Sequence, residues 1–273
     1  DELTAEISQS RFPNSINAID LASRTLANNA PKNIKRINVV NIDSGIETLT
    51  SSIPLELLAE SVSKGPLEED LVEFNNLDDY SGDAHIKDNN LLYPNFYWEL
   101  KPHMLGTLQH QIQFYFWQLE ALFSSTYSIR KGLYLSTDIG IDIVNNYDDY
   151  TYHIPDGKLY HVRQDRRLYL TEGESGIRRM ALDYIFAFNS NIKGKVSVGY
   201  LEWMYGGVGG EFLYTPDHNK WSIGLESYWV KQREFNQKFS FREYDTVTGF
   251  LSFYYDIPFF DMRLKTSICL LYT

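Results

Sequence analysis

From Tyr93 onward the chain is patterned with a period of two, through segments longer than an ordinary strand. Phe96, Trp98, Leu100, Pro102 and Met104 alternate with Tyr97, Glu99, Lys101 and His103. Tyr115, Trp117, Leu119, Ala121 and Phe123 share one side, and Gln118 and Glu120 take the other. The same alternation recurs in residues 133–143, 180–188, 221–229, 247–255 and 262–270. Successive strand side chains point to opposite faces, so each segment reads as a strand with one apolar and one polar face. Together with the two arms of a glycine-rich stretch, about nine strands are predicted, many about 10–14 residues long.

Soluble sheets use strands of about five or six residues, whereas a tilted bilayer-crossing strand needs about 9–11. Tyr93, Trp98, Tyr147, Tyr150, Tyr152, Tyr214, Trp221, Trp229, Tyr254 and Tyr255 gather towards predicted strand ends, where an interfacial girdle sits. Lipid offers no hydrogen bonds to the backbone, so such a sheet must close on itself. The predicted fold is therefore mainly β: an antiparallel, partial outer-membrane β-barrel over residues 93–273, preceded by a small α/β module. The competing reading is a large soluble β-sandwich or lectin-like barrel, a secreted carbohydrate-binding or carbohydrate-cleaving protein.

The first third differs in kind. Residues 1–92 hold 16 acids, 7 bases and only three aromatics, Phe12, Phe74 and Tyr80, of the 41 in the chain. Ser15 can cap a helix through Asn29, with Ile16, Ile19, Ala22, Leu26 and Ala30 at helical spacing and Pro31 as the stop. Residues 34–42 and 46–53 read as strands around an Asp43-Ser44-Gly45 turn, and Pro54 opens a short helix. Residues 1–64 are thus an α-β-β-α module, periplasmic if the barrel reading holds. Residues 65–92 are acidic and read as a linker. Asp78, Asp79, Asp83, His85 and Asp88 lack EF-hand spacing, so a solvated linker is preferred to a metal site.

Gly206, Gly207, Gly209, Gly210 and Glu211, inside GYLEWMYGGVGGEFLY, read as the tight turn of a hairpin, because glycine accepts positive φ. Residues 145–174 interrupt the alternation and read as a long loop. Tyr160, His161, Arg163 and Arg166 of that loop are candidate polysaccharide contacts, since aromatic faces stack on sugar rings and guanidinium groups bond hydroxyls. Glu202, Arg179 and Asp183 join them, Glu202 beside the glycine turn and the other two on the polar strand face.

Net charge is −11, which argues against a nucleic-acid partner. Cys269 is the single cysteine, so no internal disulfide or cysteine zinc site is available. No run approaches the length of a transmembrane helix, and Asp1, Glu2 and Glu6 are unlike a signal peptide. The six histidines form no HExxH motif, and no GxSxG, P-loop or dinucleotide fingerprint occurs. No catalytic residue, cofactor or metal is expected. The one catalytic arrangement left open pairs Glu202 and Glu211 across the hairpin, where their separation would decide.

The segments LTEGESGIRRMALDY, GYLEWMYGGVGGEFLY, KWSIGLESYWVKQREF and FREYDTVTGFLSFYYDIP, in this order and spacing, resemble the YjbH/GfcD-type exopolysaccharide biosynthesis proteins of Gram-negative outer membranes. The start NSINAIDLASRTLANNAPKNIKRINVVNIDSG is similar to the α/β module that precedes a barrel in that family. The resemblance covers most of the chain and is strongest from Leu170 to Pro258. It implies an outer-membrane β-barrel that helps export an exopolysaccharide or capsule. It also implies three kinds of partner: the lipid bilayer, the polysaccharide, and periplasmic or lipoprotein components of the export machinery. Members of the family are longer and carry further strands. With an odd strand count and a last residue Thr273, the chain is expected to be a fragment of such a protein.

Overall fold

The computed structural model describes residues 2–8, 15–43, 45–61, 73–74, 93–108, 115–149, 165–189, 191–216, 220–257 and 262–269. The chain divides into two compact units, Asp1–Asp88 with Ile185–Lys193, and Asn89–Tyr184 with Gly194–Thr273.

The N-terminal part contains β1 (Glu2–Ile7), α1 (Ser15–Asn29), β2 (Arg36–Asp43), β3 (Ile46–Pro54), α2 (Leu55–Ser61) and β4 (Glu73–Phe74). Strand β1 was not anticipated from the sequence. It pairs parallel to β2, so a β-α-β unit leads into the predicted β2–β3 hairpin. Strand β4 lies within the stretch read as a linker, where Glu73 and Phe74 pair with β3. The remaining residues of 65–92 lie outside the described residues.

The helical period of α1 brings Ile19 onto the sheet. Ile19, Ile37, Val39, Ile53 and Leu58 form a closed core, with Ala22 and Leu26 packed against it. Each such aliphatic side chain contributes about 1.5–3 kcal/mol on burial. The other face of β2 mixes buried Val40 and Ile42 with Asn38, which is satisfied across the sheet. Asn38 donates to Glu2 at 3.0 Å and accepts from Ser52 Oγ at 2.6 Å.

The C-terminal part is one nine-stranded antiparallel meander, in which each strand pairs with its sequence neighbours. Its strands are β5 (Asn95–Leu108), β6 (Tyr115–Arg130), β7 (Leu133–Asn145), β8 (Gly176–Ala187), β9 (Ile192–Tyr200), β10 (Tyr205–Tyr214), β11 (Trp221–Arg233), β12 (Phe241–Ile257) and β13 (Met262–Cys269). The sheet is open: β5 and β13 are its two edges, with no further strand partner among the described residues.

One face carries Phe96, Trp98, Leu100, Ile141, Val198, Phe212, Leu225, Trp229, Leu251 and Ile268, all exposed. Nothing in the described structure covers them, and Leu100 and Ile268 are each 61% exposed. The opposite face carries the polar members of each alternation. Among them Glu120 is 1% and Asp183 6% exposed. In the middle of the sheet polar groups are therefore sheltered while apolar groups lie open, the reverse of a soluble sheet, and the polar residues of the edge strands, such as Lys101 and Arg263, are exposed.

The connections sort by edge. Lys131–Gly132 joins β6 to β7 and residues 188–191 join β8 to β9, both at the edge where β5 begins. The long segment 146–175 leaves and re-enters the sheet at the opposite edge, between β7 and β8. Its described residues include a 3-10 turn, Tyr147–Asp149, and the helix α3, Arg166–Thr171.

The glycine-rich reversal falls in a different place from that expected. Residues 201–204 turn the chain, closed by a bond from the Glu202 amide to the Tyr205 carbonyl at 3.0 Å. Gly206, Gly207, Gly209 and Gly210 all lie inside β10, paired residue by residue with β11, and Glu211 continues the same strand. None of the four has positive φ; the left-handed glycine nearby is Gly199, at φ 134°. Three of the four, Gly206, Gly207 and Gly209, serve close approach. A Cβ on Gly207 would meet the Trp229 carbonyl oxygen at 2.1 Å, and one on Gly209 the Tyr228 ring at 2.2 Å. Tyr228 thus lies across Gly209, its cross-strand partner, covering backbone that a side chain would otherwise shield.

This difference among the glycines is measurable. Gly207→Ala should destabilise the sheet by about 1–3 kcal/mol, because its obstacle is backbone. Gly210→Ala, whose added Cβ has no heavy atom nearer than 3.2 Å, should fold almost as the parent. Equilibrium unfolding in detergent compares them, and equal losses would reject close approach as the role of the run.

Candidate functional site

Three connections fold together over the polar face at the long-segment edge: α3, the 201–204 turn, and the β11–β12 loop around Gln237. Tyr169 of α3 is fully buried, together with Met204, Tyr205 and Val230. Its hydroxyl donates to the Arg233 carbonyl and sits 3.3 Å from the Met204 carbonyl. Trp203 and Phe235 meet the Tyr169 ring edge-on, at 6.0 and 5.1 Å between centroids. Leu170 packs with Phe116 and Tyr147 in an adjoining cluster. The long segment is therefore anchored across the sheet's polar side.

Two arginines hold it there. Arg233 is completely buried and donates to four carbonyls: Ile177 and Glu202 at 2.8 Å, Gln237 at 2.8 Å and Lys238 at 3.1 Å. Its guanidinium stacks 4.6 Å from the Tyr200 ring centroid. It ties β8, the 201–204 turn and the β11–β12 loop into one body.

Arg178 is placed by a β-bulge. Asp138 pairs with Arg179 and Ile139 with Ile177, so Arg178 is the extra residue. Strict alternation would put it on the apolar face; the bulge turns it onto the polar one. All five of its N–H groups are used: Glu120 Oε2 receives two, at 3.1 and 2.6 Å, and the Gly173 carbonyl, Gln237 Oε1 and Glu174 carbonyl receive the rest, at 3.0, 2.6 and 2.7 Å. Glu120 takes a further bond at 2.9 Å from His103 Nδ1. Gln118 completes the array, donating to Asp142 at 2.7 Å and to the Glu174 carbonyl at 2.9 Å. A buried ion pair adds little net stability over apolar packing, but it fixes geometry, and loss of one partner leaves an uncompensated charge.

Beneath and beside this plug lie two cavities, of about 540 and 470 Å³. The larger is lined by His103, Glu120, Asp138, Arg166, Arg178 and Trp203, among others. The smaller is lined by Arg179, Lys195, Glu202, Glu211, Tyr228 and Phe250, among others. Both fall in the size range of small-ligand sites.

Several residues singled out from sequence meet here. Arg179 and Asp183 form a two-armed ion pair at 2.7 and 2.9 Å, and Ser197 Oγ donates to Asp183 at 2.5 Å. Arg179 also bonds the Leu201 carbonyl at 3.0 Å. Glu211 accepts from the Tyr228 hydroxyl and pairs with Lys195 at 3.1 Å. Glu202 lines the same cavity, from the turn rather than from a strand. Arg166 lines the other cavity, its guanidinium 5.8 Å from the Trp203 ring centroid. Tyr160, His161 and Arg163 lie outside the described residues.

Sequence reasoning missed Arg178, Trp203, Arg233 and Gln237. The Arg178–Arg179 doublet, two like charges where alternation allows one, was the signal for the bulge. Among the described residues no group of three or more His, Cys, Asp or Glu side chains is placed to hold a metal ion.

Comparison with known proteins follows the same lines. The model of a family described as exopolysaccharide biosynthesis protein matches residues 1–269. A relative in Escherichia coli (strain K12), the uncharacterized lipoprotein YjbH, is 25% identical over 275 residues. That match takes in 98% of this chain and 39% of the relative, so the chain spans about two fifths of the relative's length. No solved structure matches.

The plug carries two expectations. Glu120→Gln, leaving Arg178 buried with half its compensation, should cost about 3–5 kcal/mol in thermal or denaturant unfolding; a loss under about 1 kcal/mol would show that the pair is not buried in the folded protein. Burial also pushes the Tyr147 hydroxyl up to about 12, from the ordinary tyrosine value of about 10. A raised folded value means stability present below about pH 10 and lost as pH rises towards 12. Alkaline titration followed by tyrosinate absorbance should show a late-ionising tyrosine that Tyr147→Phe removes.

Proposed function

This chain belongs to the exopolysaccharide biosynthesis family, and from that membership and its two-faced sheet we propose that it is part of an outer-membrane β-barrel that helps export an exopolysaccharide or capsule. Family membership supports the role in exopolysaccharide biosynthesis. The observation that carries the barrel reading is the uncovered apolar face, continuous over nine strands and opposed by a sheltered polar face. A bilayer is the surrounding that makes such an arrangement favourable. The lipoprotein name of the Escherichia coli relative fits an envelope location.

In this reading the two open edges, β5 and β13, pair with further strands of a longer protein. The edge with the short turns faces the periplasm, as in outer-membrane barrels generally, and the plug occupies the outer side. The chain enters β5 from that short-turn edge, so the N-terminal α/β module is periplasmic, where it meets periplasmic or lipoprotein components of the export machinery. The protein acts as conduit or brace for the polymer and not as a catalyst. Glu202 and Glu211, which line one cavity, are in this reading wall groups that bond passing hydroxyls.

Two measurements test this. Leu225 and Leu251 are cross-strand partners on the apolar face, 48% and 42% exposed. Leu225→Arg should cost about 2–4 kcal/mol if that face meets lipid, but less than about 0.5 kcal/mol if it meets water. Release of the full-length protein from membranes by salt alone, without detergent, would defeat the barrel reading. For the biological role, deletion of the full-length gene should lower surface polysaccharide; unchanged polysaccharide would defeat it.

A further inference from the structure

The larger cavity has a division of labour that the plug alone does not require. Most of its polar wall is committed to holding the plug. Arg178 has spent all five N–H groups. Glu120 is bonded through both oxygens, to Arg178 and to His103. Gln118 is engaged at both ends of its amide, its Oε1 lying 3.4 Å from the Tyr147 hydroxyl.

Three lining groups keep capacity in reserve. Asp138, from β7, has no hydrogen-bond partner among the described residues. Its cross-strand neighbour Arg179 is turned to Asp183 instead. Trp203, from the 201–204 turn, packs against Tyr169, Arg166 and the Phe116–Tyr147–Leu170 cluster with part of its ring and lines the cavity with the rest, and its indole N–H has no partner among the described residues. In its neutral form His103 donates through Nδ1 to the Glu120 carboxylate, which leaves Nε2 an acceptor. An aromatic surface, a carboxylate and an imidazole acceptor around about 540 Å³ form a set that hydroxyl-rich rings satisfy.

Charge narrows the class. The cavity wall carries two carboxylates, Glu120 and Asp138, against two guanidiniums, Arg166 and Arg178. It is balanced, and the carboxylate with spare capacity is Asp138. A sugar carboxylate entering here would face Asp138, find Arg178 already saturated, and find the Arg166 guanidinium engaged over the Trp203 ring.

We propose that this cavity is a saccharide subsite for uncharged hexose units, with Trp203 as the stacking surface, Asp138 as the hydroxyl acceptor and His103 as a second acceptor, and that it discriminates against uronic acids. This inference rests on the polysaccharide-handling role proposed above and names the sugar class it takes.

The test uses the full-length protein purified in detergent. Cellohexaose, maltohexaose and a dextran oligomer serve as neutral probes of different linkage, and a hexagalacturonate as the acidic probe. Tryptophan emission reports binding, and Trp203→Phe identifies the reporting residue among five tryptophans. At least one neutral probe should bind at least tenfold more tightly than the hexagalacturonate. Asp138→Asn, which keeps the shape and folds as the parent, should weaken that probe about tenfold and narrow the preference over the acidic one. Trp203→Ala should abolish binding, with circular dichroism reporting whether the sheet is retained.

Equal or tighter binding of hexagalacturonate overturns the proposal, as does silence of all the neutral probes at millimolar concentration. Binding that Asp138→Asn leaves unchanged overturns the site. Membrane extraction reports separately: a protein that binds sugar but is released by salt would defeat the barrel reading alone, and one that needs detergent but binds no sugar would defeat the subsite alone.

Discussion

Main-chain pairing between neighbouring antiparallel strands governs the rest of this molecule. Once nine strands are in register, every side chain from β5 to β13 is assigned to a face by parity. A slip of one residue would send Leu225 to the polar side and Glu226 to the apolar one. The pairing of Glu211 with Glu226 and of Phe212 with Leu225 shows the assignment holding across β10 and β11. Like carboxylates directly opposite one another cost energy, and Lys195 and Tyr228 on the same face offset that cost at Glu211.

Where the parity breaks at Arg178, the buried polar network gathers. The bulge at Arg178 brings a second arginine to the polar face beside Arg179, and the two divide their work. Arg179 closes on Asp183 next to the smaller cavity, and Arg178 closes on Glu120 under the plug. Arg233, at the end of β11, ties β8, the 201–204 turn and the β11–β12 loop together, using carbonyls in place of a carboxylate. The plug is thus fastened mainly by charged donors to backbone acceptors, an arrangement that holds main chain in one geometry. The cavities persist because these fastenings are directional and do not collapse inward as an apolar core would.

Much of this was legible in the residue order. The alternation located the nine strands, and the composition shift near Tyr93 separated them from the N-terminal part. In that part, Ile19, Ala22 and Leu26 marked the buried side of α1. Less legible were β1, six residues whose only reason to be a strand is the parallel partner β2, and β4, too short to carry a period. The glycine run misled because its composition suits a turn as well as a strand pressed against Trp229 and Tyr228. Local chemistry alone cannot distinguish these, since the deciding atoms belong to β11. Arg166 and Arg167 were read in a loop and lie in a helix, whose stability comes from Tyr169 and Leu170 packing rather than from its own six residues.

By itself the sequence determined that residues 93–273 form long strands with one apolar and one polar face, because a period of two is local and needs no partner to be read. It also determined the charged groups that strict alternation places on the polar face, among them Glu120, Arg179 and Asp183. Only the tertiary structure decided where the chain turns between β9 and β10, that Arg178 crosses to the polar side, and that Trp203, Asp138 and His103 surround one cavity. Those facts depend on residues far apart in the chain meeting across the sheet. Contact at that range is set by register, bulges and buried hydrogen bonds, which no window of sequence contains.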